Sequence, residues 1–181
     1  VVLIIATFLE DERKGIKYAL EALLKIKASN PFLILMGNIN DQVEGLFKGF
    51  DCKVTGFVKE DSKKAAYFSA ADVFLFSSLA DNMPLVILET MATATPTVGF
   101  RTGGVPEMIQ HERSGFMVAQ RDVDGLVCGM KHAMDKPVAT AWGANARKEV
   151  KKQFSYDRLF KNHLNLYKKT IYRHPRGKKQ E

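Results

Sequence analysis

The chain is poor in cysteine and has no long hydrophobic run. Its two cysteines, Cys52 and Cys128, show no CxxC spacing. That argues against a disulfide framework or a cysteine-built metal site and fits a reducing cytoplasm. No apolar stretch reaches the roughly 18–20 residues of a membrane span. The opening Val1–Ala6 is apolar but short and lacks a basic lead-in, so it reads as a buried strand and not as a signal peptide. Neither a GxGxxG nor a Walker P-loop occurs, which leaves a dinucleotide reading and a P-loop reading without support. His111, His132, His163 and His174 are scattered without metal-ligand spacing, and none adjoins a Ser or Cys in a nucleophile motif.

What remains is an ordinary globular composition. The 181 residues are 46% apolar and 26% charged, enough for one domain with a proper core. The chain starts without Met and enters a strand at once, so it is expected to be a piece of something longer. The net charge of +7 comes partly from the end of the chain, Arg173–Lys179. Residues 173–181 are expected to form a basic flexible tail. Such a block is either solvated or in contact with an anionic membrane surface. Because the charge gathers there, without an aromatic RNA-binding pattern, no nucleic-acid partner is expected.

Short apolar runs alternate with amphipathic segments. Strands are predicted at Val1–Ala6, Phe32–Met36, Val54–Phe57, Val73–Phe76, Pro96–Phe100 and Ser114–Val118. Helices are predicted at Gly15–Ala28, Gln42–Lys48, Ser62–Ala70, Leu85–Thr93, Asp122–Met134, Ala139–Lys152 and Phe154–Tyr172, with a short one after Gly103-Gly104. Strands apolar on both faces with helices between them predict an α/β class: a Rossmann-like, doubly wound parallel sheet. In such sheets ligands bind beyond the carboxyl ends of the strands.

The segment Asp81-Asn-Met-Pro-Leu-Val-Ile-Leu-Glu89 is the most informative. Pro84 suits the start of a helix, and the exposed N–H groups there suit an anion such as a phosphate. Glu89 falls inside the helix, on an apolar run, where a carboxylate needs a partner. Sugar or ribose hydroxyls are suitable, because an ionised carboxylate only accepts. The pattern reads as a site for a sugar joined to a diphosphate. Other strand ends add weaker candidates. Lys14 precedes a helix, where a cation is either a plain surface residue or a partner for an anion. Gly37 permits close approach of a ligand or an unusual turn, or else marks a plain turn. Gly56-Phe57-Val58 offers an apolar shelf for a base or an ordinary strand end.

Together these residues resemble the C-terminal, donor-binding half of a GT-B glycosyltransferase, in the large retaining family 4 (glycosyl transferases group 1). The resemblance rests on Ser77–Ala92, Thr95–Gly99 and Gly103–Glu107, supported by Arg13-Lys-Gly15 and Gly115–Val118, and covers nearly the whole chain. It implies that Glu89 holds the ribose hydroxyls and that Asp81, in the place of the family's first glutamate, contacts the transferred sugar. Asn82, Met83, Pro84, Leu85 and Val86 would supply backbone contacts to sugar and diphosphate. Lys14 would pair with the diphosphate, and Val58 would lie against the base. The first loop lacks the arginine many members carry there, and Arg13 is the candidate to replace it.

The resemblance further implies no metal cofactor and a UDP- or GDP-sugar substrate. It implies retaining hexosyl transfer to a glycan or lipid-linked acceptor, as in bacterial polysaccharide biosynthesis in the cytoplasm or at the inner face of the membrane. The acceptor-binding N-terminal domain is absent from this chain. The last helix would cross to that domain, so its apolar face is expected to be partly exposed. The alternative is a non-catalytic nucleotide- or sugar-phosphate-binding module on the same scaffold.

Overall fold

The computed structural model describes residues 1–8 and 11–173. Six strands form its centre: β1 (Val2–Phe8), β2 (Leu33–Asn38), β3 (Cys52–Gly56), β4 (Val73–Phe76), β5 (Thr97–Phe100) and β6 (Gly115–Val118). Every neighbouring pair is parallel, and the sheet order is β3-β2-β1-β4-β5-β6. The chain therefore builds outward from β1 in one direction, then returns and builds from β4 in the other. The crevice between β1 and β4 is the switch point at which such sheets bind ligands.

Alternation along the strands sorts the core into two layers. Val2, Ile4, Leu33, Leu35, Val73, Leu75, Val98 and Phe100 face one side. There they meet α1 (Ile16–Lys25) and α6 (Val123–Met134) through Ala19, Leu23, Leu126 and Met130. Leu3, Ile34, Met36, Phe74 and Phe76 face the other. They meet α3 (Asp61–Ala70) and α4 (Leu85–Ala92) through Phe68, Ile87 and Met91. Side-chain period two on a sheet covered on both faces produces this division. The remaining helices are α2 (Asp41–Leu46), the short α5 (Val105–Met108), α7 (Lys136–Gln153) and α8 (Tyr156–Arg173).

Several boundaries differ from expectation. β3 begins at Cys52 and stops before Phe57, because Gly56 adopts φ +67° and turns the chain out of the sheet. The helix expected over Gly15–Ala28 ends at Lys25 and gives way to a 3₁₀ turn, Lys27–Ser29, after Ile26 leaves helical geometry at φ −108°. α7 starts three residues early, at Lys136, with Pro137 in its first turn, where the missing N–H is harmless. Pro84 is the residue before α4 and not within its first turn; its ψ of 118° is extended. The last helix extends through Arg173, and the rest of the expected tail, 174–181, lies outside the described residues.

α8 stands apart from this packing. Tyr156, Leu159, Phe160, Leu164, Tyr167 and Ile171 are all exposed, Tyr156 by 90%. Their spacing places them on one helical face. Among the described residues the apolar face of the last helix is thus bare from Tyr156 to Ile171, more completely than the sequence suggested. Among the described residues no helix is long and apolar enough to cross a membrane.

Candidate functional site

The chain leaves β1 and β4 at the switch point, and their following loops are tied together by hydroxyls. Ser77 Oγ donates to the Lys14 carbonyl at 2.9 Å, and Ser78 Oγ to the Arg13 carbonyl at 3.1 Å. The Leu79 N–H donates to Arg13 O at 2.7 Å. Gly15, at φ +62°, lies so close to the Ser77 carbonyl that a Cβ would stand 2.1 Å from it. Two buried serines thus fix where Lys14 leaves the first loop. The β4–α4 loop is held from its other side. Thr102 Oγ1 donates to Ser78 O at 2.6 Å, and Gln120 Nε2 to Leu79 O at 2.8 Å. The Gly104 N–H donates to Asn82 O at 2.7 Å. A Cβ on Gly103 would fall 1.9 Å from the Asp81 carbonyl, so the Gly103-Gly104 turn is there to let this loop lie down.

Above these ties lies a cavity of about 400 Å³, lined by Ala6, Lys14, Ser77, Asp81, Met83, Pro84, Leu85 and Val86, among others. Lys14 Nζ reaches Asp81 Oδ2 at 3.0 Å. Among the described residues no side chain caps the start of α4. Pro84 has no N–H to give, so the free donors of the first turn begin at Leu85 and Val86. Asn82 is exposed and turns its carbonyl to Gly104; it is not among the residues lining the cavity. Leu85, at 72% exposure, forms part of the mouth.

A second cavity of about 200 Å³ adjoins the first through Ile5, Ala6 and Val86. Gly37, Val58, Phe57, Lys64, Phe68 and Glu89 line it. Val58 and Glu89 are thus brought together, at the end of the site away from Asp81. Gly37 lines the cavity, and its backbone also meets a neighbouring strand. At φ +136° its absent Cβ would stand 1.6 Å from the Ala6 carbonyl, so the close approach that demands glycine is made by β1 itself. Glu89 is 42% exposed and not sealed among apolar residues, because it lies on the α4 flank that faces α3.

Two outcomes separate structure from sequence. Arg13 is not brought to either cavity. Its guanidinium bonds Asp11, Nε to Oδ1 at 3.1 Å and Nη2 to Oδ2 at 2.7 Å, and is largely exposed. The Arg13 side chain and then its backbone N–H, both bonded to the Asp11 carboxylate, hold that group below its usual range. An acid two residues back captures the arginine locally. The second outcome is a residue the sequence did not single out. Lys64, on the first turn of α3, donates to Glu89 Oε1 at 3.1 Å and to Asp61 Oδ1 at 2.8 Å. Its bonds to Asp61 and then Glu89 raise its pKa above the ordinary lysine value. Its neighbour Lys63 meets only the local Glu60 among the described residues, at 3.0 Å, whereas the packing of α3 on α4 brings Lys64 to Glu89 as well.

With this geometry in view, residues 1–136 match the family described as Glycosyl transferases group 1. The chain belongs to that family. It is 34% identical over 169 residues to an uncharacterized glycosyltransferase, MJ1607, of Methanocaldococcus jannaschii, covering 86% of this chain and 42% of that protein. Sucrose-phosphate synthase from Thermosynechococcus elongatus superposes with a TM-score of 0.81 at 27% identity, over 94% of this chain and 45% of that one. Anabaena Alr3699/HepE, solved in complex with UDP and glucose, gives a TM-score of 0.76 at 18% identity over 93% and 48%. The fold is thus one Rossmann-like half of a GT-B glycosyltransferase. This group 1 chain spans less than half the length of the relative and structures it matches.

Proposed function

We propose that this chain is the donor-binding half of a retaining glycosyltransferase, taking a hexose from a UDP- or GDP-sugar to a glycan or lipid-linked acceptor. One observation carries the reading. Lys14, Asp81 and the start of α4 line one cavity at the switch point of the sheet, and Glu89 and Val58 line the next, which adjoins it over the ends of β1 and β2. That is the order of chemistry along a nucleotide sugar. Glu89 accepts from the ribose hydroxyls, and Val58 lies against the base. The N–H groups of Leu85 and Val86, with Lys14, take the diphosphate, and Asp81 lies toward the sugar.

Departure of the diphosphate needs charge stabilisation that is in place before the reaction. A lysine and a helix N-terminus supply it by fixed electrostatics, and the mechanism proposed for this chain uses no metal cofactor. Lys14 would exchange Asp81 for the diphosphate oxygens, and the carboxylate it releases would face the developing positive charge on the sugar. The acceptor would be held by the other GT-B half, the N-terminal domain, and the exposed apolar face of α8 is where the two halves would join. That Anabaena Alr3699/HepE, a neighbour of the same fold, is solved with UDP supports a nucleotide ligand. A cytoplasmic setting with peripheral membrane contact follows from a lipid-linked acceptor, and polysaccharide synthesis in a bacterium is the corresponding biological role.

Calorimetric titration of the chain with UDP, GDP and ADP tests the reading. Binding of UDP or GDP, lost in Glu89→Ala, is expected. Affinity unchanged by that substitution would refute the ribose role. Joining the N-terminal half and finding tight nucleotide binding but no transfer would favour the non-catalytic binding module.

A further inference from the structure

The second cavity holds a charge cluster that the nucleotide-binding scheme does not yet use. Lys64 Nζ sits between two carboxylates, 2.8 Å from Asp61 Oδ1 and 3.1 Å from Glu89 Oε1. The three groups differ in exposure. Asp61 is 93% exposed, Glu89 is half-exposed and Lys64 is the most sheltered of the three. Lys64 lines the same cavity as Glu89. It is also the one side chain among the described residues that donates to the Glu89 carboxylate.

A half-exposed glutamate has three rotatable side-chain bonds and would otherwise sample water freely. To accept from two neighbouring ribose hydroxyls it must hold one orientation. Lys64 takes one lone pair of Oε1 and leaves the other oxygen, with the remaining lone pairs, for hydroxyl donors. An ammonium bonded to Glu89 alone would make a neutral pair and would compete with those hydroxyls. Asp61 prevents this by sharing the same ammonium. Two carboxylates and one ammonium leave the cluster with a net negative charge, so Glu89 stays an acceptor. Asp61 first and Glu89 second raise the pKa of Lys64 above the ordinary lysine value, and the ammonium is charged at neutral pH in any case. The anchoring is also rigid, because Lys64 lies in the first turn of α3, whose Phe68 is buried in the core against the sheet.

We infer that Lys64 is a positioning residue for ribose recognition: with Asp61 it holds the Glu89 carboxylate toward the 2′- and 3′-hydroxyls and so sets the preference for ribonucleotides over deoxyribonucleotides. The inference rests on the proposed ribose role of Glu89.

The test is a comparison of UDP with 2′-deoxy-UDP, and of GDP with 2′-deoxy-GDP, on the whole chain and on three variants. Wild type should favour the ribonucleotide at least roughly tenfold, because a polar site deprived of its hydroxyl partner discriminates strongly. Lys64→Met should bring that ratio below about threefold, while Lys64→Arg, which keeps the cation, should restore most of it. Glu89→Gln should abolish it. A merely structural role for Lys64 would weaken both nucleotides alike and leave the ratio unchanged, which would overturn the inference while leaving the ribose role of Glu89 intact. Absence of any ratio in wild type, or its survival in Glu89→Gln, would overturn the ribose role itself and the inference with it. Thermal denaturation of each variant separates a folding defect from either outcome.

Discussion

Asp81 and Glu89 each meet a lysine at about 3 Å, yet they are held in different ways. Asp81 sits on a loop fastened by Thr102, Gln120 and the Gly103-Gly104 turn, and it is 22% exposed. Its lysine, Lys14, comes from another loop fixed by the buried Ser77 and Ser78. Glu89 sits mid-helix with twice the exposure, and its lysine comes from a neighbouring helix. One end of the site owes its geometry to loop hydrogen bonds, the other to helix packing. Positions that hold the first end should therefore affect diphosphate contacts alone, and positions that hold the second should affect the nucleoside.

Glu89→Ala attacks the helix-held end and is expected to be the largest single effect. It removes two hydrogen bonds to a charged acceptor, each worth roughly 1.5–3 kcal/mol, so UDP or GDP affinity should fall by about 100-fold or more. Uridine or guanosine, titrated in parallel, should lose a comparable factor. A nucleoside left unaffected would break the assignment of the two ends.

Lys14→Ala comes next and should show the opposite selectivity. Loss of one charge-assisted contact, with Asp81 left unpaired beside the phosphates, predicts a drop of roughly 10- to 100-fold for the diphosphate. The nucleoside alone should bind as before, and equal losses for both would contradict a loop-held diphosphate end.

Thr102→Val is a milder change of the same kind. Thr102 is fully buried and its hydroxyl bonds the Ser78 carbonyl. Leaving that carbonyl unsatisfied should cost about 1–2 kcal/mol of stability, read as a lower melting midpoint, with a several-fold loss of diphosphate affinity. Arg13→Ala is the smallest. Its guanidinium faces solvent on Asp11, so nucleotide affinity should stay within about twofold. A tenfold loss would show that Arg13 leaves Asp11 to reach the phosphates.

The same contrast explains what could be read in advance. The parallel sheet follows from strands apolar on both faces, so residues such as Leu33–Met36 and Val73–Phe76 announced themselves. The Asp81–Glu89 spacing was legible because both acids lie on one short continuous segment. Lys64 was not, since its partner is 25 residues away and depends on how α3 lies along α4. Arg13 was placed in the right segment but not in the right direction, because a hydrogen bond to Asp11 decides where a flexible side chain points. Gly37 was singled out correctly for its freedom, yet the approaching group is a backbone carbonyl of β1, a contact no local pattern encodes.

The bare face of α8 bears on how the chain behaves in a tube. Six large side chains on one ridge of an 18-residue helix find nothing to rest on among the described residues. Water is a poor neighbour for such a ridge, and two copies can relieve it by laying their ridges together. Sedimentation should then report a species whose mass rises with concentration, and the rise should vanish when Phe160 and Ile171 are made polar. Nucleotide titrations belong at the dilute end of that curve, where each molecule is alone.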